Sequence, residues 1–491
     1  MNTGSGAEAP GGRLAAADDL YRWLLRCGAA TRLLTVLVLG SVLVACGSSS
    51  PVSTQTPEPE PPDGARRLAA QGCSWTKVFD PAVLNFAYPD TSAHYWLALI
   101  PAPGPLGRIR LTGRVPEVRY YAFNAYDALT APYDAIADYE IAPLYGLQTP
   151  FLGPARVDRR IPIGAEYTVE LAFESPPGQR AGNTLYSAAL ASIGGITLPN
   201  PAMALVVYRT YLPQGDVTGG VGLPLIELET PAGAVIPVGG GDTCSRTVSQ
   251  IIEAAVLGSV NALLTQAGFP DLPLPPLAIP GTSSQPEFSV FYGLAAGLQD
   301  AGIPVPDVLI EGSTIGGFFS TKNTRYAYAL FTRSHGHLYV VRGKAPRFVD
   351  GDAADPQLRY WSLCQNEFVT QRVVGCLADY EVVLDAEGYY TVVVSDYGAR
   401  PAHAYAEHGY NWLPWGAYPD GDFIVRNMLP EPNFAQAFQN IARGADPVSV
   451  AGAYFPAATY CDPQLFAHVS ATGVSPAAVF SACREQSGRR E

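Results

Sequence analysis

The sequence predicts a mainly β chain: two related antiparallel β-sandwich, jelly-roll-like domains with a helical insert between them. Three observations carry this. First, segments recur in the same order along the chain. Thr91-Ser-Ala-His-Tyr-Trp-Leu-Ala-Leu returns as Lys322-Asn-Thr-Arg-Tyr-Ala-Tyr-Ala-Leu, and Gly113-Arg-Val-Pro as Gly343-Lys-Ala-Pro. Arg119-Tyr-Tyr-Ala-Phe returns as Arg359-Tyr-Trp-Ser-Leu, and Ala137-Asp-Tyr-Glu-Ile as Ala378-Asp-Tyr-Glu-Val. Tyr167-Thr-Val-Glu-Leu and Val207-Tyr-Arg-Thr-Tyr-Leu-Pro have counterparts at Tyr390 and Val425. Ordered self-similarity of this kind marks a repeated structural unit. Second, 49 Gly, 44 Pro and 27 Tyr in 491 residues suit short strands and turns. Third, helical spacing is concentrated between the repeats.

The elements follow in chain order. Residues 1–45 read as a lipoprotein signal peptide: Arg22, Arg26 and Arg32 precede a short apolar run from Leu33 to Ala45. That run falls short of the roughly 20 residues a bilayer span needs. It ends in Leu43-Val-Ala-Cys46, which is similar to a bacterial lipobox. By that similarity Cys46 is acylated, becomes the first mature residue and anchors the chain to a membrane. Gly47 then permits passage to the outer membrane by analogy with diderm bacteria. Residues 46–65, rich in Ser, Thr, Pro and Glu, form a flexible tether.

The first β-sandwich repeat occupies 66–244. Its expected strands are Tyr95–Ile100, Arg108–Thr112, Arg119–Tyr126, Thr168–Phe173 and Ala204–Tyr211. Ile109 and Leu111 alternate onto one face, as do Val169, Leu171 and Phe173. The helical insert spans 245–313. Val248, Ile251, Ile252, Ala255, Val256, Leu263 and Leu264 give a helix over 246–267. Phe288, Phe291, Leu294 and Leu298 give a second over 287–300. The second repeat occupies 314–491, with strands at Tyr326–Thr332, His337–Arg342, Leu358–Cys364, Tyr390–Ser395 and Phe423–Met428.

Charge and cysteine bound the function. The net charge is −13 for the full chain. Residues 1–45 hold four Arg and three acidic residues, so the remainder carries −14. There are three Lys and no basic run, a poor match to nucleic acid. Beyond Cys46 there are Cys73, Cys244, Cys364, Cys376, Cys461 and Cys483. An even count in an exported chain predicts disulfides, paired by position as Cys73–Cys244, Cys364–Cys376 and Cys461–Cys483.

Ala87-Tyr-Pro-Asp-Thr, Arg119-Tyr-Tyr-Ala-Phe-Asn-Ala-Tyr-Asp, Asn183-Thr-Leu-Tyr, Tyr208-Arg-Thr-Tyr-Leu-Pro and Asp216-Val-Thr-Gly-Gly-Val-Gly-Leu-Pro carry a resemblance. They resemble an uncharacterised family of exported bacterial proteins, similar to paired β-sandwich domains of unknown function in the bacterial envelope. The resemblance implies the fold and assigns no catalytic residue.

Candidate site residues come from what both copies keep: Arg119 and Arg359, Asp138 and Asp379, Arg209 and Arg426. An Arg inside an apolar strand needs a partner when buried. Within each copy Asp138 is the natural partner of Arg209, and Asp379 of Arg426. The pairs read as a duplicated internal ion pair, or as two equivalent binding sites. Other candidates compete with plainer roles. His335, His337, His403 and His408 are metal ligands or surface-turn residues; Asp127, Asp134, Asp138 and Glu140 are a calcium or glycosidase cluster or solvated turn residues. Tyr410, Trp412, Trp415 and Tyr418 form a stacking surface or core, and the Gly-rich loop Gln214–Pro224 belongs to the first copy alone. No Gly-x-Ser-x-Gly elbow, metal-ligand spacing or cofactor motif is present. The expected role is ligand binding or scaffolding at the cell envelope, with a glycan or a lipid as ligand. A surface-tethered hydrolase of glycans or lipids and a purely structural envelope protein are the alternatives.

Overall fold

The computed structural model describes residues 74–81, 85–103, 107–127, 130–190, 192–193, 196–197, 202–238, 282–293, 319–349, 355–368 and 370–489. In the first half the strands are β1 (Thr76–Val78), β2 (Ala93–Pro101), β3 (Arg108–Arg114), β4 (Tyr120–Tyr126), β5 (Pro132–Ala137), β6 (Glu166–Ala172), β7 (Thr184–Tyr186), the small pair β8 (Ser192–Ile193) and β9 (Ile196–Thr197), β10 (Met203–Tyr211), β11 (Leu225–Glu229) and β12 (Val235–Pro237). The second half supplies β13 (Ser289–Val290), β14 (Thr324–Thr332), β15 (Tyr339–Lys344), β16 (Leu358–Asn366), β17 (Val373–Ala378), β18 (Tyr389–Ser395), β19 (Asn411–Pro414), β20 (Asp420–Pro430) and β21 (Ala457–Tyr460). Helices α1 (Pro447–Ala451), α2 (Pro463–Ser470) and α3 (Pro476–Gly488) close the chain.

Strand order corresponds in the two halves, with one strand fewer in the second sheet of the second half among the described residues. One sheet runs β1-β2-β10-β4-β5, and its counterpart β13-β14-β20-β16-β17. The other runs β12-β11-β3-β6-β7, against β21-β15-β18-β19. Each half is a β-sandwich. Both second sheets carry a parallel pair, β6 with β7 and β18 with β19, so the sheets are mixed and not wholly antiparallel. The likeness reaches single hydrogen bonds. Asn183 donates to the carbonyls of Ala142 and Thr168, and Asn411 to those of Val383 and Thr391. Gly113 faces Tyr167 across the ladder, and Gly343 faces Tyr390. A Cβ on either glycine would meet the tyrosine oxygen, at 2.6 and 2.5 Å, so a ring fills the place of the missing side chain.

Every residue of β10 is buried, because both faces are covered. Ala204, Val206 and Tyr208 enter the sandwich core with Ile109, Leu111, Val169 and Leu171. Leu205, Val207 and Tyr211 face the other way, into a third core shared with Tyr360, Met428 and Leu429 of the second half. The two halves therefore meet through the outer faces of their first sheets. We call this contact the seam.

The helix expected over 287–300 is corrected where it is described. Ser289–Val290 form an edge strand on β14, with Phe288 and Val290 alternating into the core. Backbone pairing with β14 and burial of Phe288 and Val290 set this segment in place of the local helical spacing. The helix expected over 246–267 lies outside the described residues, as do Cys46, Cys73 and Cys244. Cys364 and Cys376 are opposite each other in the β16–β17 ladder and are bonded. Cys461–Cys483 ties β21 to α3, and α2 and α3 cover the outer face of β15 and β18 around Leu338, Val340 and Val393. Asp462 and Ser475 cap these helices, with Pro at each first helical position.

Candidate functional site

Each half ends its fifth strand in Asp-Tyr-Glu, folded as one tight turn. The Glu reaches back to the turn's entry: Ala137 N donates to Glu140 at 2.8 Å and Ala378 N to Glu381 at 2.9 Å. This frees the Asp to point inward. Asp138 accepts from the backbone of Tyr121 and Tyr139, at 3.2 and 2.7 Å.

The buried arginines then exchange partners across the seam. Arg119 donates to Asp379 of the other half, and Arg359 to Asp138, both at 2.9 Å. Each guanidinium also lies over a phenylalanine, Arg119 over Phe348 and Arg359 over Phe151. Burial pushes the Asp138 carboxyl up to about 6 and the Asp379 carboxyl to about 7, against the pull of the paired arginine and backbone donors.

The expected pairs Asp138–Arg209 and Asp379–Arg426 are thus corrected. Alternation along β10 puts Arg209 on the seam face. There it donates to the Tyr126 hydroxyl and, at 3.1 Å, to the Phe319 carbonyl, and lies over the Tyr95 ring. Arg426 donates to the Tyr88 carbonyl at 2.6 Å and stands 3.9 Å from Asp90. Asp90 is the residue that sequence reasoning missed. It is fully buried and accepts from Tyr360 and Ser362 of the second half, at 3.0 and 2.7 Å. Its signal was its place in the Ala87-Tyr-Pro-Asp-Thr motif.

The two exchanged pairs are unequal. Arg359 is wholly buried, with its Nη2 bonded to the Gly153 carbonyl and its Nη1 to the Arg119 carbonyl as well as Asp138. Arg119 gives both of its side-chain hydrogen bonds from Nη1 and lines an open cleft of about 570 Å³. The lining is about equally apolar and polar: Val118, Phe151, Val157, Ile161 and Leu212 supply the apolar part, and Arg119, Arg159, Glu117, Gln214 and Tyr380 polar groups. Tyr380 and Val349 come from the second half, so the cleft opens on the seam. The Gly-rich loop builds its rim. Gly219 accepts from Glu117 N at 3.0 Å, and Gln214 N donates back to Glu117 at 2.8 Å. Gly219 has φ +70°, and a Cβ there would meet the Glu117 backbone at 2.9 Å.

The remaining candidates are placed elsewhere. His335 lies in a turn beside Tyr460, and His403 meets the His408 ring edge to face, with Ser470 at 3.4 Å. Among the described residues, the group of three candidate metal-ligand atoms is Asp90, Cys364 and Cys376, and its two sulfurs are bonded to each other. Asp134 pairs with Arg180 at 2.6 Å and Asp127 accepts from Ala131 N at 2.9 Å, so the acidic cluster is divided among separate local bonds. Tyr410, Trp415 and Tyr418 are core, and Trp412 is half-buried on Ser395.

No family model and no curated protein matches the chain. Among solved structures it is similar to an uncharacterised protein from Burkholderia cenocepacia, at 13% identity and TM-score 0.40, covering 86% of this chain and 88% of that one. It is also similar to the VPA0106 protein from Vibrio parahaemolyticus, at 13% identity and TM-score 0.36, covering 76% and 90%. Likeness at this level carries no argument about activity.

Proposed function

We propose that this chain is a lipid-anchored protein of the bacterial cell envelope that binds a small ligand in the seam cleft. The observation that carries the binding role is the cleft itself. Its volume of about 570 Å³ lies within the roughly 300–1,000 Å³ typical of small-molecule sites. Its apolar part can bury a ligand body and its polar part, as large, can orient a head group. The anchor rests on Leu43-Val-Ala-Cys46, and the origin of the body by duplication rests on the ordered repeats. Membership in an exported family rests on the motifs that carry that resemblance.

Two experiments test this. Fed a labelled fatty acid, cells should label the chain, and Cys46→Ala should remove the label; labelling unchanged by that substitution contradicts the anchor. A thermal-shift panel of amphiphiles and glycans on the mature chain carrying Cys46→Ser should give a saturable rise in midpoint. At 100 times its Kd a ligand of the native state adds about 2.7 kcal/mol. A flat panel contradicts the binding role.

A further inference from the structure

The inequality of the two exchanged pairs points to the chemistry of the ligand. Arg359 has an acceptor on Nη2 supplied by the Gly153 carbonyl. At the equivalent position Arg119 spends only Nη1, on both oxygens of Asp379, at 3.0 and 2.9 Å. Its remaining donors make no hydrogen bond among the described residues, and the side chain is on the cleft wall. Arg119 is 7% exposed, so what it offers is a largely desolvated guanidinium edge. A second guanidinium, Arg159, stands on the same wall, exposed and without an ion pair among the described residues. Its neighbour Arg160 is held by Asp158 at 2.7 Å and does not compete with it.

The wall also limits the head group. Two arginines and a carboxylate residue, Glu117, line the same cleft, with Asp379 paired to Arg119. The two guanidiniums are already matched in number by Glu117 and Asp379, so a monoanion held by the free guanidinium edges meets less repulsion than a dianionic phosphate would. A cationic head would face both guanidiniums. The planar Arg fork matches a carboxylate in shape. Beyond the head, Val118, Phe151, Val157, Ile161, Ile163 and Leu212 supply an apolar lining for a hydrocarbon or aromatic body.

We infer that the seam cleft takes an amphipathic monocarboxylate, its head held by Arg119 and Arg159 and its apolar body laid along the Val118–Leu212 wall. This rests on the reading of the cleft as a ligand site. The test is calorimetric titration of the mature chain carrying Cys46→Ser with decanoate, decanol, decyl phosphate and decylamine. Decanoate should bind saturably, with decanol at least about tenfold weaker, the scale of one charge-assisted hydrogen bond. Arg159→Met, at an exposed position that leaves the fold intact, should weaken decanoate about tenfold and leave decanol unchanged. Ile163→Trp should block both.

Equal affinity for decanoate and decanol, or indifference to Arg159→Met, overturns the head-group assignment while cleft binding stands. Tighter binding of decyl phosphate or decylamine overturns the carboxylate. Failure of all four probes to bind, or binding unaffected by Ile163→Trp, overturns the inference together with the cleft reading.

Discussion

Arg119 of the first half donates through Nη1 to both carboxylate oxygens of Asp379 in the second, across 260 residues of chain. Arg359 returns the contact to Asp138, so each half supplies the cation for the other's buried acid. Neither acid meets its arginine inside its own sandwich. The exchange clasps the halves at the seam, and the cleft opens beside the less sealed pair.

The two pairs should differ in cost when broken. Removing one partner of a buried ion pair leaves a charge uncompensated, at about 3–5 kcal/mol. Arg359 and Asp138 are both fully buried, whereas Arg119 retains some exposure. Arg359→Met should therefore destabilise more than Arg119→Met in urea unfolding. The reverse order would contradict the sealed-and-open distinction.

Stability should rise on mild acidification. Burial raises Asp138 to about 6, Asp379 to about 7 and Asp422 to about 8. Asp422 sits in β20 with its Oδ1 lacking a hydrogen bond among the described residues. A free Asp titrates near 4, so through these three carboxyls the folded chain holds more protons than the unfolded one from about pH 4 to 8, opposed by the single group His94, which burial lowers. Stability then falls as pH rises through this window and returns as pH falls. Calorimetry should give a higher Tm at pH 5 than at pH 8, and Asp422→Asn should flatten the upper part of the change. A Tm that climbs towards pH 8 would contradict the desolvation argument.

The fold was legible in the sequence where periodicity was local. Ile109 and Leu111 in β3, and Val169 and Leu171 in β6, alternate onto one buried face as period two requires. Short parallel edges such as β7 have too few residues to show a period. The site was half legible. Repetition singled out Arg119, Asp138, Arg359 and Asp379, but pairing within each copy was the wrong premise. Nothing local to β4 or β5 says that the carboxylate facing Arg119 belongs to the other half. Arg209 misled for the same reason: β10 is buried on both faces, and its arginine serves the seam with a tyrosine hydroxyl and a carbonyl instead of an acid.

The Cys364–Cys376 bond should matter chiefly through the unfolded chain. It spans 12 residues, and loops of about 15 are worth about 3 kcal/mol in the chain-entropy model. The Cys364→Ala/Cys376→Ala double variant should lose about 2–4 kcal/mol by urea unfolding. No loss would mean that the β16–β17 hairpin is already ordered without the bond.

Gly219→Ala should damage the rim of the cleft. The added Cβ would sit at positive φ and meet the Glu117 backbone. Strain of this kind costs about 1–3 kcal/mol. We expect a lower Tm and weaker decanoate binding together; an unchanged affinity would show that the loop does not shape the site.

The most direct test of the clasp is a double-mutant cycle on Arg119→Met and Asp379→Leu, followed by urea unfolding. Each single substitution should cost several kcal/mol and the pair together much less than their sum, giving a coupling within the roughly 0.5–3 kcal/mol seen for residues in contact. Costs that add to within about 0.5 kcal/mol would mean that the two residues do not interact, and would contradict the account of how the halves are joined.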